Sequence, residues 1–186
     1  MRLRIRAGRA GDRKAIHAML REFMEYFAEI DAAAVADDPY SDRELAKAAG
    51  LGFVRDPLGA ALIAEIDGKP VGYLAYHYGI WEVYPALYVD GLFVRKSVRA
   101  HGVGRALMAA AERLAAVRDA THITWMVWRK NTPAIDFYKH LGAEIYDVNM
   151  QMVLEIAKAG RRHPSGKQAS TSRPRRRRAP RAPARR

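Results

Sequence analysis

Apolar and charged residues alternate in Leu3-Arg4-Ile5-Arg6, the pattern of a short, half-buried strand. Ile16, Met19, Leu20, Phe23, Phe27 and Ile30 then fall three or four apart, which predicts a helix over about residues 10–30 with one apolar face. Glu22, Glu25 and Glu29 lie off that stripe, as a solvated face or as the rim of a site for a cation. Asp37-Asp38-Pro39 breaks any helix, and Ser41-Asp42-Arg43-Glu44 is a capping box that opens a second, short one, to be ended by Gly50 or Gly52. Residues 60–66 and 71–78 are apolar runs around Asp67-Gly68, a preferred tight-turn pair, and predict an antiparallel hairpin.

Residues 79–85, GIWEVYP, read as an exposed loop that places Trp81 and Tyr84 beside Glu82. Large aromatics in a loop need a reason, either packing over a sheet edge or partner, or forming the wall of a pocket for a cationic substrate. From Leu87 to Val94 apolar residues occupy both faces of an extended segment, so this strand is expected to be buried on both sides. A basic turn follows, and Ala106, Leu107, Ala110, Ala111 and Leu114 recur with helical spacing. Ile123 to Trp128 predicts the next strand, and Pro133 and Gly142 bracket a short helix as first-turn and C-terminal residues. Two short strands, residues 144–147 and 152–156, are expected to close the fold. This element order predicts a mixed sheet flanked by helices.

Composition changes the picture only at the end of the chain. The net charge of +12 over 186 residues would suggest nucleic acid if it were spread evenly. Residues 161–186 hold eleven Lys or Arg and no acid, leaving 21 basic against 20 acidic residues, a net +1, for the rest. The expected organisation is one domain over residues 1–159 and a disordered Arg/Pro-rich tail over 160–186. Arg175 to Arg178 would bind phosphates nonspecifically, so nucleic-acid association through the tail is the reading from a different functional class. No apolar run is long enough to span a membrane and the first residues lack the apolar block of a signal peptide, which predicts a cytoplasmic protein. The chain has no Cys, which removes disulfides and a Cys nucleophile, and its six His lack ligand spacing, so no metal site is expected.

The turn carries the candidate chemistry. It is a helix N-terminus in which Gly102 and Gly104 allow backbone N–H groups to approach an anion, while Arg99 and Arg105 add positive potential. A diphosphate suits it. A phosphate-binding loop of the Walker type would need Lys-Ser or Lys-Thr after the second glycine, where this chain has Arg105-Ala106. A dinucleotide-binding loop would need a third glycine and an acid closing the next strand, and Trp128 stands at that end.

Arg99-x-x-Gly102-x-Gly104 resembles the pyrophosphate loop of the GNAT superfamily of acyl-CoA N-acyltransferases, and Asn131-Thr132-Pro133 through Phe137-Tyr138 to Leu141-Gly142 is similar to that family's second signature. The resemblance spans about residues 3–156 and implies a GNAT-type α/β fold with a mostly antiparallel central sheet. It implies acetyl-CoA as co-substrate, with backbone at Leu92, Phe93 and Val94 pairing the pantetheine arm. The diphosphate would rest on Ala100, His101, Gly102, Val103, Gly104 and Arg105 beside Arg99, with Asn131 and Ala134 touching the remaining arm. Tyr138 falls at the family's general-acid position, or is an ordinary aromatic packing on the sheet, and Asp90 is the candidate base for the attacking amine. Trp81, Glu82 and Tyr84 are the candidate substrate-binding residues.

The segments most resemble the diamine (spermidine/spermine) acetyltransferase branch, where a Glu stands at Asp90 and a second acid follows it. This chain has Gly91 there, and Phe27 where an acid would face a polyamine. The implied activity is acetyl transfer to a primary amine of a small molecule, diamine-like or derived from an amino acid. A protein amine or an aminoglycoside is the alternative acceptor, and a homodimer is the implied assembly.

Overall fold

The computed structural model describes residues 2–37, 39–53, 57–147 and 151–152. Contacts divide the chain into residues 1–152 and 153–186, and the second unit, with the expected tail, lies outside the described residues. The first unit runs β1 (Leu3–Ala7), α1 (Arg13–Ile30), α2 (Ala32–Asp37), α3 (Asp42–Ala48), β2 (Ala60–Ile66), β3 (Lys69–Trp81), β4 (Tyr84–Val94), α4 (Val103–Val117), β5 (His122–Trp125) and α5 (Thr132–Lys139). The strands form one sheet in the order β1-β2-β3-β4-β5. Neighbours from β1 to β4 are antiparallel, and β4 and β5 are parallel. The mixed, mostly antiparallel sheet flanked by helices matches the expected architecture.

Local chemistry sets the elements where the pattern predicts them. Asp67 and Gly68 both take positive φ, 49° and 79°, the geometry that a two-residue hairpin turn demands. Ser41 and Glu44 form the reciprocal capping box: the Ser41 hydroxyl accepts from Glu44 N–H at 3.3 Å, and Glu44 Oε2 accepts from Ser41 N–H at 2.8 Å. Two cores flank the sheet. Val103, Leu107 and Ala111 of α4 pack on Leu62, Leu74, Leu87 and Val89, while Ile16 and Met19 of α1 pack on Ile63, Tyr73 and Phe93. Arg6 clamps the sheet to the start of α1. Its guanidinium donates to both carboxylate oxygens of the buried Asp12, at 2.7 and 2.8 Å, and to Glu65.

Three expectations are corrected. Residues 79–85 are not a loop: β3 and β4 run to Trp81 and from Tyr84, which face each other in register, and only Glu82 and Val83 turn the chain. β-branched and aromatic side chains there pair across the ladder, which outweighs the turn-like composition. Residues 144–147 form no strand. Ile145 and Tyr146 are exposed, and no neighbouring strand supplies a ladder among the described residues. The last expected strand falls outside the described residues except for Met152, which is irregular. The short helix α2 was not expected, yet three successive Ala residues favour it before Asp37.

The strand expected over Ile123 to Trp128 pairs only to Trp125, opposite Val89. Beyond that point β4 continues to Val94 while residues 126–128 leave the sheet. The two strands therefore part, and the gap between them positions the site.

Candidate acyl-transfer site

The ladder between β3 and β4 pairs Ala75 with Gly91 and Tyr76 with Val89, so Asp90 is an extra residue, a β-bulge. The bulge projects its carboxylate out of the alternation and into the reach of His77. His77 Nδ1 stands 2.9 and 3.0 Å from the two Asp90 oxygens. An ionised carboxylate only accepts, so Nδ1 carries the proton and donates, leaving Nε2 as the acceptor edge of the neutral ring. Nε2 makes no hydrogen bond among the described residues. The ring is held flat against Tyr88, with centroids 4.9 Å apart and planes 11° from parallel.

At the far end of β4, residues 96–98 form a single helical turn and α4 begins after Gly102. Gly102 takes φ 76° and Ala100 takes φ 63°, which turns the chain so that the first N–H groups of α4 face outward. Gly104 serves a second purpose: a Cβ there would stand 3.2 Å from Phe137 Cζ, so its absence lets α4 approach α5. Arg99 Nε donates to the Val94 carbonyl at 3.0 Å, and the guanidinium lies 4.5 Å from the Tyr26 ring centre. Glu22 and Glu29 pair with Arg95 and Lys96 just before the turn, at 3.2 and 3.3 Å, which gives these two acids of α1 a partner on the protein itself.

Between these two ends the parted strands open a cleft of about 1720 Å³. Pockets for a single small molecule are roughly 300–1,000 Å³, so this cleft is larger than one such pocket. Asn131 caps α5, its buried side-chain oxygen accepting from Ala134 N–H at 3.3 Å and from the Tyr26 hydroxyl at 2.7 Å. Phe27 lies tilted against Trp128, ring centroids 4.4 Å apart, bridging the first helix to the segment that leaves the sheet. Tyr138 packs against Trp125, and burial pushes its phenol up to about 12, with Tyr26 adding a smaller push.

The cleft brings together Asp90, Leu92, Phe93, Val94, Arg99, Ala100, Gly102, Val103, Gly104, Arg105, Asn131, Ala134 and Tyr138. His101 is not among the described residues that line it, and its Nδ1 lies 2.8 Å from the Arg99 carbonyl instead. Trp81, Glu82 and Tyr84 are also elsewhere. They close the outer end of the hairpin with His122 and Tyr146, whose hydroxyl donates to Glu82 at 2.5 Å. Side chains that the sequence reading missed are His77, Tyr26 and Trp128. Only the alternation along β3 carried a signal for His77, by putting it on the face of Tyr73 and Ala75. Among the described residues no group of His, Cys, Asp or Glu could hold a metal ion.

The parting of two parallel strands thus brings a basic helix N-terminus and an Asp-His pair at the bulge onto one cleft. The Acetyltransferase (GNAT) family model matches residues 16–143, and the chain belongs to that family of acetyl-CoA-dependent N-acetyltransferases. A pig thialysine N-epsilon-acetyltransferase is 28% identical over 148 residues, covering 75% of this chain and 82% of that protein. Two solved structures share the fold. One is a ribosomal-protein-alanine N-acetyltransferase from Brucella melitensis, with TM-score 0.63, 18% identity, and coverage of 83% of this chain and 100% of that one. The other is AAC(6′)-Iy in complex with a bisubstrate analog containing CoA, with TM-score 0.64, 17% identity, and coverage of 84% and 100%.

Proposed function

We propose that this protein transfers the acetyl group of acetyl-CoA to a primary amine of a small molecule by direct attack on the thioester. The carrying observation is the Asp90-His77 pair at the bulge, opening onto the same cleft as the basic turn and Tyr138. The donor set suits acetyl-CoA: Arg99, Arg105 and the first N–H groups of α4 receive its diphosphate, and the β4 backbone freed by the parting of β5 receives its pantetheine arm. Acetyl-CoA supplies the activated carbonyl. A backbone N–H at Leu92 or Phe93 stabilises the oxyanion.

An amine reaches the site as an ammonium and must lose a proton before it attacks. Asp90 attracts the cation and holds His77 in the Nδ1–H tautomer, and Nε2 takes the proton. Both Asp90 oxygens already face Nδ1–H, whereas Nε2 carries the lone pair left open, so the ring is the better-placed acceptor. Tyr138 then gives its phenolic proton to the departing thiolate. The exposed Ile80 and Val83 at the hairpin tip support the expected homodimer, which native mass measurement reads.

Thiol release from acetyl-CoA over an amine panel tests this reading. Turnover is expected, with Tyr138→Phe lowering kcat by about a hundredfold and leaving the KM for acetyl-CoA unchanged. An unchanged kcat in the variant would remove Tyr138 as the acid.

A further inference from the structure

Away from the α4 N-terminus the cleft is walled mostly by apolar and aromatic side chains. Leu20 and Met24 of α1, Phe53 and Leu58 before β2, Tyr40 before α3, and Tyr88 of β4 all line it. Leu20, Phe53 and Ala75 belong to one hydrophobic cluster under α1, on the sheet face that carries His77. The segment bearing Leu58 runs beside β3 at His77, since a Cβ at the adjacent Gly59 would stand 3.6 Å from His77 Cβ. Charge is distributed unevenly along the lining. Among the described lining residues Asp90 is the one carboxylate, and the guanidiniums are Arg99 and Arg105, both at the α4 end where the diphosphate belongs.

Resting on the proposed acetyl transfer, we infer that the acceptor is a monocationic amine with an apolar body, an alkyl- or arylalkylamine rather than a polyamine or an amino acid. Its ammonium meets Asp90 and His77, and its hydrocarbon part lies against the apolar wall. A second ammonium, or an α-carboxylate, would meet no opposite charge there among the described residues, and each one laid against the apolar wall gives up water contacts without a partner in exchange. This separates the chain from its pig relative, whose name specifies thialysine, a lysine-like amino acid.

The test uses the full chain, acetyl-CoA and four amines: hexylamine, phenethylamine, putrescine and ornithine, with kcat/KM from thiol release. The apolar monoamines are expected to exceed putrescine and ornithine by at least about tenfold, the least that one uncompensated charge should cost. Equal or better turnover of putrescine or ornithine overturns the inference and leaves acetyl transfer standing. If none of the four amines brings about thiol release, acetyl transfer is overturned and the inference falls with it.

Leu58→Glu gives an independent reading. Leu58 is 73% exposed, so the substitution spares the core while adding a carboxylate to the wall. It is expected to raise the putrescine-to-hexylamine ratio by about tenfold. An unchanged ratio removes Leu58 from the acceptor wall and with it the inference.

Discussion

The tip of the β3-β4 hairpin and the bulge midway along it start from similar material and arrive at different surroundings. Each has a carboxylate among aromatic rings: Glu82 with Trp81, Tyr84 and Tyr146 at the tip, and Asp90 with His77 and Tyr88 at the bulge. At the tip the ladder is complete to its last pair and the carboxylate is occupied by the Tyr146 hydroxyl. At the bulge one extra residue leaves the ladder, and the strand on the other side departs immediately beyond Val89. The first carboxylate is held inside a closed cluster of rings, whereas broken pairing sets the second, with its His77 partner, on the cleft. Residue type alone does not separate a closed cluster from one that lines a cleft.

The sharpest way to break the comparison is at the bulge. Asp90→Asn and His77→Gln are each expected to lower kcat by about a hundredfold, and His77→Gln should also remove the acidic limb of the kcat profile against pH. If Asp90→Asn retains that limb and His77→Gln abolishes it, the imidazole is the proton acceptor; the reverse would give the role to the carboxylate. At the tip, Trp81→Ala should cost stability by about 1–2 kcal/mol in a denaturant melt through lost ring contacts, with the amine KM unchanged. A tenfold rise in amine KM in that variant would bring the tip into the site after all.

A smaller effect separates buried phenols from exposed ones. Burial raises Tyr73 and Tyr138 above their ordinary value of 10.0, Tyr138 to about 12. A raised value means the folded state retains the proton that the unfolded chain releases. The corresponding stability is fully present below pH 10 and is lost as pH rises through the folded values. Melting temperatures measured from pH 9 upward should therefore fall across that window, and Tyr73→Phe should flatten the fall. Smallest of all is the effect of removing residues 160–186 on acetyl transfer: kcat/KM should stay within about twofold, while retention on DNA at low salt disappears. A full-length chain that fails to bind DNA at low salt would end the nucleic-acid reading of the tail.

Much of the site was legible before the fold was known, for reasons that particular residues make plain. Helix starts, tight turns and caps depend on neighbours in sequence, so Arg99 to Arg105, Asn131 with Ala134, and Asp67-Gly68 declare themselves locally. His77 and Tyr26 do not. His77 matters only because a bulge thirteen residues later turns Asp90 toward it, and Tyr26 only because Asn131, far along the chain, accepts its hydroxyl. Trp81 and Tyr84 misled the reading because aromatic side chains beside an acid look alike in a pocket wall and in a paired strand end.

The sequence by itself determined the order of the main elements, the basic turn at a helix N-terminus and the family resemblance, since each depends on short-range periodicity and spacing. Only the tertiary structure decided where β5 leaves β4, which carboxylate stands free of the ladder and which imidazole it holds. Those depend on register between strands. A register offset of one residue changes which face a side chain occupies while leaving the periodicity of either strand untouched.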